Sequence, residues 1–163
     1  MKNQKVLFTA QAAVIAAIYV VLTIVFAPLS FGEVQVRFAE ALTILPYFTP
    51  AAIPGLFIGC MIGNLLGGAI LPDIIFGSLA TLIGALLSYA LRKNKFLVPL
   101  PPILANTLIV PLILHYGYGI NLPIPFMMLT VGIGEIISCG VLGMIVLFAL
   151  HKYKYIIFQK ATG

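Results

Sequence analysis

The sequence predicts an all-α integral membrane protein with six short transmembrane helices, in a single domain over residues 1–163. Three observations carry that reading. Hydrophobic residues make up 62% of the chain and charged residues only 8%, more apolar surface than a water-soluble fold of this size can hide. The runs 6–27 and 74–91 are each long enough to span a hydrocarbon core. The net charge of +5 comes from basic residues gathered at segment ends. In a membrane protein that pattern reports orientation, and it is not a nucleic-acid footprint.

The first segment begins like a signal peptide, with Lys2 and Lys5 ahead of an apolar run. That run is longer than an ordinary signal core and no convincing cleavage site follows, so it is read as a retained first helix. The six helices fall at about 6–27, 36–49, 51–68, 74–91, 97–115 and 124–150, with ends uncertain by a few residues. The second is short: from Arg37 to Phe48 an α-helix rises only about 18 Å. The charges nevertheless argue that it crosses. With six crossings, Lys2 and Lys5, then Arg92, Lys93 and Lys95, then Lys152, Lys154 and Lys160 share the cytoplasmic side, as do both termini. Arg37 is then the one basic residue at the outer side and needs a special reason. The third helix carries Gly55, Gly59, Gly63 and Gly67 at four-residue spacing, a smooth stripe on which another helix backbone can pack closely. Pro99, Pro101, Pro102 and Pro111 are expected to break up the fifth. Cys60 and Cys139 sit singly in apolar segments and are read as packing residues, since two isolated cysteines make neither a disulfide framework nor a metal site.

The costly residues are few. Glu33, Glu40, Asp73 and Glu135 are the only acids, and the six-helix topology puts none in a cytoplasmic loop. Glu33 reads as a solvated charge in the first outer loop. Glu40 is one turn into the second helix, Asp73 is at the outer mouth of the fourth, and Glu135 lies about 16 Å into the sixth. Asn64 is near the outer end of the third helix and Asn106 midway along the fifth. Ionisable groups at membrane depth normally face a cavity, a partner or a pathway. A set confined to the outer half describes a pocket open outward and closed below. Each member also has a structural reading. Arg37 and Glu40, three apart, can pair with each other. Asn64 and Asn106 can bond between helices. Asp73, after Pro72, can cap the fourth helix. Glu135 has no basic residue near it in sequence, and its burial is the hardest to explain without a ligand.

No phosphate-binding loop, paired His and Cys spacing or nucleophile elbow is present. The chain is therefore read as neither an enzyme nor a holder of a metal or cofactor. It is also short for a transporter built from two inverted halves, so uphill movement of a solute would need energy from another protein.

The stretch Val36-Arg37-Phe38-Ala39-Glu40-Ala41-Leu42-Thr43, with Leu45-Pro46, Pro54-Gly55 and Gly63-Asn64 after it, resembles the queuosine-precursor transporters, substrate-binding S components of the energy-coupling-factor class. The resemblance continues through Asp73 to Gly84, Ala105-Asn106-Thr107 and Gly134-Glu135, nearly the whole chain. It implies an S-component fold in a prokaryotic plasma membrane and a deazaguanine ligand, either a precursor of queuosine or queuine. It also implies a coupling transmembrane subunit and two ATP-binding-cassette ATPases as partners, alongside membrane lipid, with transport by toppling of the loaded subunit. S components often dock through an Ala-x-x-x-Ala motif on the first helix, which Ala12 with Ala16 fits, as does Ala13 with Ala17.

The chemistry suits such a ligand. A guanine-type edge offers two adjacent N–H donors that one carboxylate accepts together. An aminomethyl group adds a cation that a second carboxylate favours. Glu40 and Glu135 are the expected pair, with Asn64, Asn106, Asp73 and Arg37 as supporting residues. The alternative is a stand-alone oligomeric channel or facilitator for a small cationic solute, which would not confine the carboxylates to the outer half.

Overall fold

The computed structural model describes residues 2–30 and 36–158. Glu33 and Lys160, both placed by the sequence reading, lie outside the described residues. Among the described residues the chain is helical throughout and has no strand. We label the helices α1 (Lys2–Val25), α2 (Ala52–Leu66), α3 (Asp73–Ala90), α4 (Leu100–Gly117), α5 (Ile124–His151) and α6 (Lys154–Ile157). A further ten residues, Phe38–Tyr47, form a 3₁₀ segment between α1 and α2.

Four helices are long and apolar enough to cross a membrane: α1, α3, α4 and α5. The expected third span is the shorter apolar helix α2, of 15 residues. The expected second span is where sequence and structure differ most. It winds as a 3₁₀ helix with Pro46 inside it, where the ring has no N–H to give to either an α or a 3₁₀ bond. The tighter 3₁₀ winding rises about 2 Å per residue, so ten residues extend about 20 Å where an α-helix of ten would reach about 15 Å. A 3₁₀ run this long is unusual, because its hydrogen bonds are poorly aligned. Here the packing sustains it. Every residue from Ala39 to Pro46 is buried, and the segment touches α1, α2, α3 and α5. It is a buried element on which α1, α2, α3 and α5 pack. At its start Phe38 stacks on Phe26, just past the end of α1, with ring centroids 4.3 Å apart.

The glycine stripe of α2 packs against α1. A Cβ on Gly55 would come within 2.7 Å of the Ala12 carbonyl oxygen. One on Gly59 would come within 2.8 Å of Tyr19 Cβ and 3.0 Å of Ala16 Cα, and one on Gly63 within 3.1 Å of Thr23 Oγ1. Gly67 caps the helix end instead. Ala12, Ala16, Tyr19 and Thr23 thus form the inward face of α1. Ala16 is buried, whereas Ala13 and Ala17 are exposed. Ala12 and Ala16, the alanine pair named for docking, line this internal seam, while Ala13 and Ala17 face outward.

The proline-rich helix also departs from expectation. α4 is continuous from Leu100 to Gly117. Pro101 and Pro102 fall in its first turn, where a missing N–H costs nothing. Downstream of Pro111 the backbone relaxes into a π-turn at Ile113–Gly117. Similar π-turns open α3 at Asp73–Gly77 and follow Glu135 at Ile136–Leu142. Such turns recur at functional sites. The two here adjoin acidic residues singled out above.

Replacing Gly59 by Ala is expected to destabilise the protein by about 1–3 kcal/mol, because the contacted atoms belong to the α1 backbone and a Cβ that cannot swing away. Gly132→Ala, whose Cβ would sit an ordinary 3.4 Å from Thr107 Oγ1, should be neutral. Thermal unfolding in detergent compares them, and equal midpoints would rule out a tight α1–α2 seam.

Candidate functional site

The polar residues of the bundle gather in two adjoining groups, both anchored on the 3₁₀ segment. Arg37 immediately precedes the segment and Glu40 lies in its first turn. The Glu40 N–H donates to the Arg37 carbonyl at 2.9 Å, which fixes the backbone between them.

The first group surrounds Arg37. Its guanidinium forms a salt bridge with Asp73, Nη2 to Oδ2 at 3.7 Å, with both side chains buried. Tyr118, just beyond α4, donates its hydroxyl to the same Asp73 oxygen at 2.9 Å. Asn64 of α2 donates its amide to the Asp73 carbonyl at 3.3 Å. Gly77 makes the room: a Cβ there would meet Asp73 Oδ1 at 2.8 Å and Asn64 Nδ2 at 3.3 Å. Two expectations are corrected here. The Arg37 ion pair is with Asp73, not with its near neighbour Glu40. Asp73 does not cap α3; its side chain makes no capping hydrogen bond and turns to Arg37 and Tyr118. Burial and then the Asp73 charge hold the Tyr118 phenol above the usual tyrosine range, so it remains a donor at neutral pH.

The second group surrounds Glu40, which is fully buried. Tyr19 on α1 donates its hydroxyl to Glu40 Oε1, and the Thr81 hydroxyl on α3 lies 3.4 Å from the same oxygen. Glu40 Oε2 has no hydrogen-bond partner among the described residues. Glu135 on α5 is 2% exposed, and its Oε2 accepts the Cys139 thiol at 3.2 Å. Carboxylate oxygens of Glu40 and Glu135 and the Cys139 sulfur lie within 4.8 Å of one another. Asn106 on α4, also buried, sits beside both carboxylates. Thr43 closes the group, donating to the Glu40 carbonyl at 2.6 Å.

All six residues expected at the site, Arg37, Glu40, Asn64, Asp73, Asn106 and Glu135, are therefore buried and divide between these groups. The structure adds Tyr19, Thr81, Tyr118 and Cys139. Sequence reading had no separate signal for the hydroxyls, and it took the cysteines as packing. Tyr19 was the most legible omission, as a polar aromatic in register with Ala12, Ala16 and Thr23 on the inward face of α1.

Two carboxylates held this close repel if both are ionised, so the arrangement favours a proton, a cation or a donor-rich ligand between them. Glu40, Glu135 and Cys139 are also spaced to hold a metal ion. Among common ions zinc accepts both carboxylate and thiolate ligands, and three such groups would leave its fourth position open. With the Asn106 amide alongside, the set also suits an organic ligand carrying several N–H groups.

The QueT transporter family matches residues 9–152. The chain belongs to that family. The Queuosine precursor transporter QueT of Lactococcus lactis subsp. cremoris (strain MG1363) is 34% identical over 102 residues, 59% of this chain and 60% of the relative. No solved structure matches. Membership in a transporter family, with four helices of spanning length and composition, makes this a multi-pass membrane protein of the cell membrane. The matched region includes both carboxylates and all their partners named above.

Asp73→Asn keeps the shape but removes the charge opposite buried Arg37, and is expected to cost about 3 kcal/mol or more. Adding Arg37→Gln should recover part of that loss, which a double-mutant cycle on thermal stability would detect. Strict additivity of the two changes would sink the buried ion pair as a unit.

Proposed function

We infer that the chain is the substrate-binding S component of an energy-coupling-factor importer, and that it captures a queuosine precursor of the deazaguanine class between Glu40 and Glu135. The observation that carries this reading is the convergence of those carboxylates, with Asn106, inside a member of the QueT transporter family. A deazaguanine presents an amidine-like edge of two N–H donors, and Glu40 or Glu135 can accept them as a pair. The other carboxylate then meets the 7-substituent, where an aminomethyl ammonium satisfies it. Asn106 supplies a donor to the ring carbonyl. Arg37, Asp73 and Asn64 hold the mouth of the site rather than its floor.

The chain carries no nucleotide-binding motif. Accumulation therefore depends on a coupling transmembrane subunit and two ATP-binding-cassette ATPases, against which the loaded S component topples. Exposed Ala13 and Ala17 on α1 offer the smooth strip for docking, since Ala12 and Ala16 face α2.

Two outcomes test this. Glu135→Gln replaces an acceptor with a group that is partly a donor, and losing a hydrogen bond to a charged acceptor costs about 1.5–3 kcal/mol, so affinity for aminomethyl-deazaguanine should fall at least tenfold. Isothermal titration of the folded variant measures it, and full binding would remove Glu135 from the site. Cells expressing the chain alone should bind but not accumulate the ligand. Concentrative uptake in a host without coupling subunits would point to a stand-alone facilitator.

A further inference from the structure

A second cavity, of about 560 Å³, lies at the opposite end of the bundle, where α1 begins and α3 ends. Gln4, Gln11, Thr49, Tyr89, Arg92 and Phe158 are among its walls, and none of its described lining residues is acidic. Arg92 stacks over the Tyr89 ring, with its guanidinium carbon 4.1 Å from the centroid. The Thr49 hydroxyl donates to Gln11 Oε1 at 2.9 Å, which leaves the Gln11 amide N–H groups as its remaining polar function. Lys5 lines an adjoining surface hollow that shares Gln4 and Phe8 with this cavity.

An apolar groove adjoins this cavity. The two share Gln11 and Phe158, and the groove, of about 500 Å³, continues along α1 toward the middle of the bundle. Ala10, Val14, Ile18, Leu42, Val146 and Leu150 line the groove, and its surface is almost wholly apolar. Phe158, stacked on Phe48 with centroids 4.9 Å apart, stands at the junction. On α1 the lining residues pass from Gln4 to Ile18, a rise of about 21 Å. That is about the reach of an acyl chain from headgroup to bilayer centre.

We propose that this paired site binds an anionic glycerophospholipid, with its phosphate at Arg92 and one acyl chain in the groove between α1 and α5. Charge selects the head: a cavity with a fixed guanidinium, amide donors and no acid suits a phosphate diester, and a basic pocket between helices at a membrane surface is where anionic headgroups bind. Shape selects the rest: the polar cavity adjoins an apolar groove that runs along α1, and an amphiphile with its polar end first fits the pair. A soluble phosphate would use the first part alone, and a partner helix would have no use for the arginine-lined end. The site is separate from Glu40 and Glu135, so it does not rest on the substrate assigned above.

Thermal unfolding of the purified full chain in neutral detergent tests this, with phosphatidylglycerol, phosphatidylcholine of the same chains, or glycerol phosphate titrated in. Phosphatidylglycerol should raise the midpoint saturably, while the other two should leave it nearly unchanged. Arg92→Gln, at an exposed position that folding tolerates, should weaken the phosphatidylglycerol response about tenfold, the scale of one charge-assisted contact. Ala10→Phe, which fills the groove from another exposed position, should weaken it as well. Lys93→Gln, outside the cavity, should not. Three results overturn the proposal: equal responses to the two lipids, equal effects of Arg92→Gln and Lys93→Gln, or full stabilisation by glycerol phosphate.

Discussion

The polar centre of this bundle is organised by the burial of Glu40. A carboxylate at 0% exposure inside a membrane protein is among the most expensive groups a fold can hold. Its expense is met by convergence. Tyr19 comes from α1, Thr81 from α3 and Asn106 from α4, while Glu135 on α5 adds a second carboxylate that repels Glu40 unless a proton, cation or ligand lies between them. Each of these helices is apolar enough to choose lipid over its neighbours. The polar contacts to the central 3₁₀ segment supply a reason for them to meet, alongside close packing of small residues.

Close packing is what lets Tyr19 reach. Gly55, Gly59 and Gly63 bring the α2 backbone against α1, and the Tyr19 Cβ sits in the space that a Gly59 side chain would occupy. The smooth stripe therefore does more than join two helices; it sets the depth at which the phenol meets Glu40. Gly77 plays the same part on the other side, leaving room for Asp73 and Asn64 beside each other. Glycine positions and polar positions are two halves of one arrangement.

The Arg37–Asp73 pair gives the 3₁₀ segment a fixed start, and Tyr118 and Asn64 hold Asp73 in turn. One turn deeper, Glu40 Oε1 is occupied while Oε2 has no partner among the described residues. The carboxylate is thus oriented by protein contacts on one side only.

Composition and apolar run length determined the helical membrane class, because those properties belong to the chain and need no partners. The buried set was legible for the same reason: in a sequence with four acids, each one at membrane depth must be compensated, and Glu40, Asp73 and Glu135 all proved buried. Which residue compensates which was decided only in three dimensions. Spacing allowed Arg37 to pair with Glu40, but Arg37 stands before the 3₁₀ segment in extended backbone and meets Asp73. Charge distribution made residues 36–49 a crossing helix, but the structure winds Phe38–Tyr47 as a narrower 3₁₀ segment with Ala39 to Pro46 buried. Two alanine registers on α1 were equivalent in sequence, and the seam with α2 took Ala12 and Ala16 and left Ala13 and Ala17 outside. The meeting of Glu40 with Glu135 joins residues 95 positions apart by subtraction of their numbers. No local pattern encodes that distance; it exists because four helices pack on one buried carboxylate.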